Sequence, residues 1–156
     1  MTGSADHSTS ARNVADIHDI VVDLKVDSET LLFILVSADR SINRIGSGTF
    51  GNKNRDMFIG MTPDPAIFQR VRSHLTDSLL QGLGMRFQMS ENPLGAPCKL
   101  MLMFQFNDGK SASSEYLYGT QSEGPPKEVT DFVRAAVRET EGWYQQQLKM
   151  VEKSGP

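Results

Sequence analysis

The chain has 156 residues, 38% of them apolar and 22% charged, with a formal net charge of −3. That length suits one domain with a real core and is too short for two comfortable ones. No apolar run nears the ~20 residues of a membrane span, the lone Cys98 excludes an internal disulfide and a thiolate zinc cluster, and the net acidity makes nucleic acid an unlikely main partner.

Residues 1–12 lack the apolar stretch of a secretory leader and read as a disordered lead. They precede a single expected domain, 13–152, with a loose end at 153–156. A cytoplasmic protein without cofactor or metal is the expectation.

In "DIVVDLKV", residues 19–26, Ile20, Val22, Leu24 and Val26 alternate with mostly polar neighbours, the pattern of a half-buried strand. After the turn "DSET", "LLFILVSA" (31–38) is apolar on both parities. Such a strand needs cover on both faces and belongs inside a sheet. "DRS" turns the chain into a third strand, "INRIG".

The stretch "RIGSGTFGNKN" (44–54) follows, with Gly46, Gly48 and Gly51 in the spacing G-x-G-x-x-G. A dinucleotide fingerprint needs a helix to open directly after the glycine turn, so that its amides meet the pyrophosphate. Here no helix is expected before about residue 65. "IGSGTFG" also resembles the glycine-rich loop of protein kinases. That likeness covers seven residues, and the H-R-D and D-F-G elements it would imply are missing. What remains is an anion nest: the amides of Gly46, Ser47, Gly48, Thr49 and Gly51, with Lys53 and Arg55 beside them. The surrounding segment 40–72 is the one cationic stretch of the chain, with six basic residues against Asp56 and Asp64. Arg40, Arg44, Arg70 and Arg72 would support such a site.

"MFIGM" is a short apolar piece. Asp64 and Pro65 then start a helix whose stripe is Ile67, Phe68, Val71, Leu75, Ser78 and Leu79. Gly82 or Gly84 is expected to close it in a left-handed cap. "MRFQM" (85–89) and "KLMLMFQF" (99–106) read as strands, the second with Leu100, Leu102, Phe104 and Phe106 on its core face and Met101 and Met103 on the other. "NDGK" is a hairpin turn returning "SASSEYLYG". "GPPKE" starts a last helix that runs close to residue 151. Trp143 and Tyr144, about 100° apart on it, are expected to put only one ring into the core.

The predicted class is therefore α+β: an antiparallel sheet of about five to seven strands with two long helices packed on it. The two halves echo one another, "FILVSADRS…GT" and "LMFQFNDGKS…GT", as a duplicated strand–hairpin–helix unit would.

No catalytic constellation emerges. His18 among Asp16, Asp19 and Asp23 is the nearest approach to a metal or acid–base site, and the ordinary explanation is a strand edge facing water. Cys98 has no base beside it. Asp39 and Asp108 occupy turn tips, where aspartate bonds its local backbone. The favoured reading is a non-enzymatic protein-binding or adaptor domain, chaperone-like and self-associating. Its candidate interface is Met101, Met103, Trp143, Tyr144 and Leu148, with the tail helix reaching past the sheet toward another chain. In size, acidity and element order the chain resembles small secretion-chaperone-type domains, which implies partner binding as a homodimer; no motif is shared. Two alternatives stand beside it. One is a small-ligand or anion/phosphate binder using loop 46–55, enzymatic or not. The other is an immunity- or antitoxin-like partner of a cationic protein, through the acidic residues 16–29.

Overall fold

A computed structural model describes residues 13–47, 56–83, 86–88, 94–122 and 124–154. The strands are β1 (Ile17–Val26), β2 (Glu29–Ser37), β3 (Ser41–Ile45), β4 (Met57–Met61), β5 (Arg86–Gln88), β6 (Pro97–Phe106) and β7 (Ser111–Gly119). The helices are α1 (Ala66–Ser73), α2 (Asp77–Gln81) and α3 (Lys127–Ser154). The strands form one sheet in the order β4-β3-β2-β1-β6-β7-β5. Every pairing is antiparallel except that of β5 with β7. The α+β class expected from the sequence is the class observed.

The register sorts the side chains into two faces. Leu24 lies opposite Leu32, Val22 opposite Ile34 and Ile20 opposite Val36; on the other side of β1, Val22 meets Leu102 and Ile20 meets Phe104. These residues are buried and belong to one cluster with Val129, Phe132, Ala136 and Trp143 of α3 and Ile67, Phe68 and Val71 of α1. All three helices lie on this face. A register shift between Leu24 and Lys25 leaves Leu31 as the extra residue of β2, and Leu31 and Leu32 are both buried. The strand 31–36 is interior to the sheet, as its two apolar parities require.

Turn chemistry explains the hairpins. Asp27 and Ser28 both take positive φ in the β1–β2 connection, the backbone of a two-residue turn that matches strand twist. In "NDGK", Gly109 supplies φ 85° and the Asp108 carboxylate accepts from Lys110 N–H at 2.9 Å. Asp39 does the same for Ser41 at 2.9 Å, a bond that holds its carboxyl below the usual range. Both aspartates serve their turns.

The first helix differs from expectation. Its stripe is buried at Ile67, Phe68, Val71, Leu75 and Leu79, but the helix is broken at residues 74–76. Thr76 adopts extended backbone and its hydroxyl accepts from Leu79 N–H at 3.1 Å, capping a new helix, α2. An internal threonine that satisfies an N-terminal amide competes with helix continuation. Asp64 still works at the start, accepting from Ala66 N–H at 2.9 Å. Gly82, expected in a left-handed cap, has φ −83°; Gly84 lies outside the described residues. The last helix continues to Ser154, past the expected end near 151.

α3 crosses the strands. Phe132 packs on Phe104 of β6 with ring centroids 6.1 Å apart, and Tyr144 meets Phe58 of β4 edge-on at 5.8 Å. Between those residues the helix rises about 18 Å, close to the roughly 19 Å of four strand spacings between β6 and β4.

Candidate functional site

Among the described residues, no helix lies on the second face of the sheet. Following the cross-strand register, one row runs Met57, Ile45, Phe33, Asp23, Met101 and Glu115; the next runs Ile59, Asn43, Leu35, Val21, Met103 and Ser113. Phe33, Leu35, Ile45, Met101 and Met103 are half-buried on this face, and Val21 among them is 5% exposed. At the β4 end the cover stops: Met57 is 59% exposed, Ile59 68% and Met61 61%. Contiguous apolar surface of this kind marks an interaction site rather than scattered surface leucines. Met101 and Met103, singled out from the sequence, lie in the middle of this face. Met57, Ile59 and Met61 were legible only as a short apolar piece, and their alternation becomes meaningful once β4 is known to be an edge strand.

Two polar side chains, Asn43 and Asp23, are set into the apolar rows. Asp23 stands between Phe33 and Met101. Its Oδ2 accepts from Lys25 Nζ at 2.8 Å, and its Oδ1 is buried with no hydrogen-bond partner among the described residues. Beside it is an open cleft of about 160 Å³ lined by Asp23, Lys25, Lys99 and Met101. A buried acceptor without a donor costs about 1–3 kcal/mol. The carboxylate is therefore held among apolar neighbours by Lys25 alone among the described residues.

The remaining interface candidates are placed differently. Trp143 and Tyr144 are both in the core, at 6% and 1% exposure, correcting the expectation that only one ring would be. The reason is the width of the apolar stripe on α3, which exceeds the 100° between adjacent residues. Trp143 lies over Gly60, within ordinary van der Waals distance of where a Cβ would stand, 3.8 Å from the indole. Tyr144 packs on Phe58 and under the Arg44 guanidinium, 4.4 Å from its ring centroid. Leu148 is half-buried beyond them.

The glycine loop enters the described structure only at its start. Gly46 has φ 74° and Ser47 follows it; Gly48, Thr49, Gly51, Lys53 and Arg55 lie outside the described residues. Of the arginines proposed to serve the loop, Arg44 bonds its first two residues and the others have partners or positions elsewhere among the described residues. Arg44 is fully buried. Its Nε donates to Gly46 O at 3.0 Å, Nη1 to Thr140 Oγ1 at 2.9 Å, and Nη2 to Ser47 O at 3.4 Å and Glu141 Oε1 at 3.1 Å. Burial pushes its pKa down and Glu141 pushes back. Arg44 therefore ties the root of the loop to α3, and its donors are spent inside the chain. Arg40 precedes β3, at the end opposite Gly46 and about 15–20 Å from it at the rise of a strand. Arg70 is held by Asp64 and Glu139, each at 3.1 Å. Glu139 also bonds His74 Nε2 at 3.0 Å, and His74 and Arg70 hold its carboxyl below the ordinary range. Arg72 reaches Gln69 at 2.8 Å and stacks over Phe68.

His18 Nδ1 lies 2.8 Å from Asp19 Oδ1, while the Asp16 carboxylate turns back to accept from Asn13 N–H at 3.2 Å. Among the described residues no group of three or more His, Cys, Asp or Glu could hold a metal ion. Cys98 is buried; its thiol, pushed up by that burial, donates to Ala96 O at 3.6 Å. Its cross-strand neighbour Tyr118 has its phenol pushed up to about 12, also by burial. Neither group is poised as a nucleophile. Among the described residues no helix is long and apolar enough to cross a membrane. No family model, no curated protein and no solved structure matches this chain.

Proposed function

We propose that this chain is a non-enzymatic protein-binding domain that receives another polypeptide on the uncovered face of its sheet. The observation that carries the reading is the run of apolar side chains from Met103 and Met101 across Leu35 and Phe33 to the exposed Ile59, Met57 and Met61. Four of these seven residues are methionines, and unbranched thioether side chains adapt to partners of differing shape. Asn43 and Asp23 interrupt the apolar rows with polar side chains, a mixture that interface cores share. The acidic residues 16–29 offer less as a separate surface, since Asp16, Asp19 and Asp23 each have a bond to a neighbouring residue.

The anion-binding reading loses support from the same geometry, because Arg44 is consumed in the core and Arg70 is paired. Phosphate or ATP that raised the melting temperature, with the rise abolished by Lys53→Ala/Arg55→Ala, would restore it.

Charge inserted on the open face tests the proposal. Met101→Glu/Met103→Glu is expected to keep the circular dichroism of the wild type while lowering stability by about 1–3 kcal/mol, since both side chains are half-buried and Met101 lies beside Asp23. It is expected to release partner chains that the wild type retains in affinity capture. Identical captured sets from the two proteins, both folded, would reject the open face as the binding surface.

A further inference from the structure

We propose that Met57 and Met61 form a reversible oxidation site on β4, where oxygen transfer from a hydroperoxide turns the exposed apolar end of the open face polar while leaving the fold intact. The step itself stands on exposure and chemistry. Its consequence, a weakened hold on a partner chain, rests on the protein-binding reading.

A thioether is oxidised where its sulfur meets solvent, and a thiol ordinarily competes for the same oxidant through its thiolate. The structure separates the two groups. Cys98, the one cysteine of the chain, is 3% exposed and its thiol is pushed up by burial, so it presents little thiolate and little surface. Met57 and Met61 are 59% and 61% exposed, whereas Met101 and Met103 on the same face are half-buried. Among the described methionines of the open face, the two most accessible to a peroxide therefore stand at the two ends of one strand.

Alternation along β4 puts Met57, Ile59 and Met61 on the open face and turns Phe58 toward Tyr144 and Gly60 toward Trp143 on the helix face. The two methionines lie opposite Ile45 and Ser41 of β3, about 14 Å apart at the rise of a strand, so each is oxidised independently of the other. Neither belongs to the core cluster, to which β4 contributes Phe58. A sulfoxide made inside a core disrupts its packing; one made here meets water, and the fold survives it.

The sulfur lone pair attacks one oxygen of the hydroperoxide. The O–O bond breaks and the S–O bond forms, while the proton of the transferred oxygen passes to the departing one, which leaves as water or an alcohol. Sulfur loses two electrons and the peroxide gains them. The product is a polar, chiral sulfoxide on each side of Ile59, and methionine sulfoxide reductases, one for each epimer, restore the thioether. With both ends of the strand polar, Ile59 is left as its one apolar side chain on the open face. A partner then has less apolar area to remove from water.

Treatment of the full chain with dilute hydrogen peroxide tests this, followed by peptide mass spectrometry, circular dichroism and retention on a hydrophobic-interaction column. Met57 and Met61 are each expected to gain one oxygen at least about threefold faster than Met101 and Met103, with Cys98 still a thiol. The oxidised chain is expected to keep its circular dichroism, elute earlier, and regain its retention after reduction by the two sulfoxide reductases. Met57→Leu/Met61→Leu keeps every other methionine, Met150 included. Its retention is expected to shift less than half as far under the same treatment, and its hold on captured chains is expected to persist. Faster oxidation of Met101, Met103 or Cys98 would overturn the inference. So would loss of circular dichroism as the first oxygens are gained, or an equal shift in retention for the leucine variant. Captured chains that stay bound to the oxidised wild type would overturn the switch alone, leaving the protein-binding reading to its own test with Met101→Glu/Met103→Glu.

Discussion

Replacing Arg44 with alanine is expected to destabilise the fold by about 3–5 kcal/mol, the range for stripping one member from a buried charged network. The guanidinium is fully buried and donates to the Gly46 and Ser47 carbonyls, the Thr140 hydroxyl and the Glu141 carboxylate while covering the Tyr144 ring. Its loss opens a cavity, leaves buried acceptors unserved, and unties Gly46 and Ser47 from α3. Arg44→Lys should recover little, because an ammonium has no planar fork to reach several acceptors at once. Glu141→Gln should cost no more than about 1 kcal/mol, since that side chain is well exposed and can turn to water. Urea titration of the three variants checks the ordering. An Arg44→Ala protein within 1 kcal/mol of wild type would show that the network is decorative.

The second large effect is expected at Trp143. Truncation to alanine should cost about 3–5 kcal/mol, as for other buried large aromatic residues. At about 2–4 °C per kcal/mol for a chain of this size, the melting temperature falls by about 6–20 °C, and does so in dilute solution. An interface anchor would behave otherwise, lowering solution mass while leaving the dilute chain nearly as stable. The indole fills the space above Gly60 and fastens α3 to the edge of its own sheet. Thermal denaturation at low micromolar concentration separates the two roles.

Much of the fold was legible because its strands alternate cleanly. Ile20/Val22/Leu24 and Leu100/Leu102/Phe104/Phe106 declare a core face by period alone, and Asn107–Lys110 declares a turn by residue type. The break between α1 and α2 was hidden because Leu75 and Leu79 keep the helical stripe while Thr76 leaves the helix. Periodicity reports which side chains are buried, not whether the backbone between them is continuous. The candidate surface was half legible. Two apolar parities in 31–36 and the Met101/Met103 side say that both faces of the sheet are greasy. Which face the helices take, and how far along it they reach, depends on where α3 crosses β4, and nothing local encodes that. Arg44 was misassigned for the same reason. A lone arginine before a glycine loop looks like a ligand for anions until tertiary packing brings Thr140 and Glu141 against it.

The uncovered face is tested most directly by covalent footprinting of the methionines, comparing the dilute isolated chain with the complex retained by affinity capture. The expected result is ready labelling of Met101 and Met103 in the isolated chain and several-fold protection of both in the complex, joined by Met57 and Met61. Equal labelling of Met101 and Met103 in the two states, with protection confined to other surfaces, would contradict the assignment of this face as the place where partners bind.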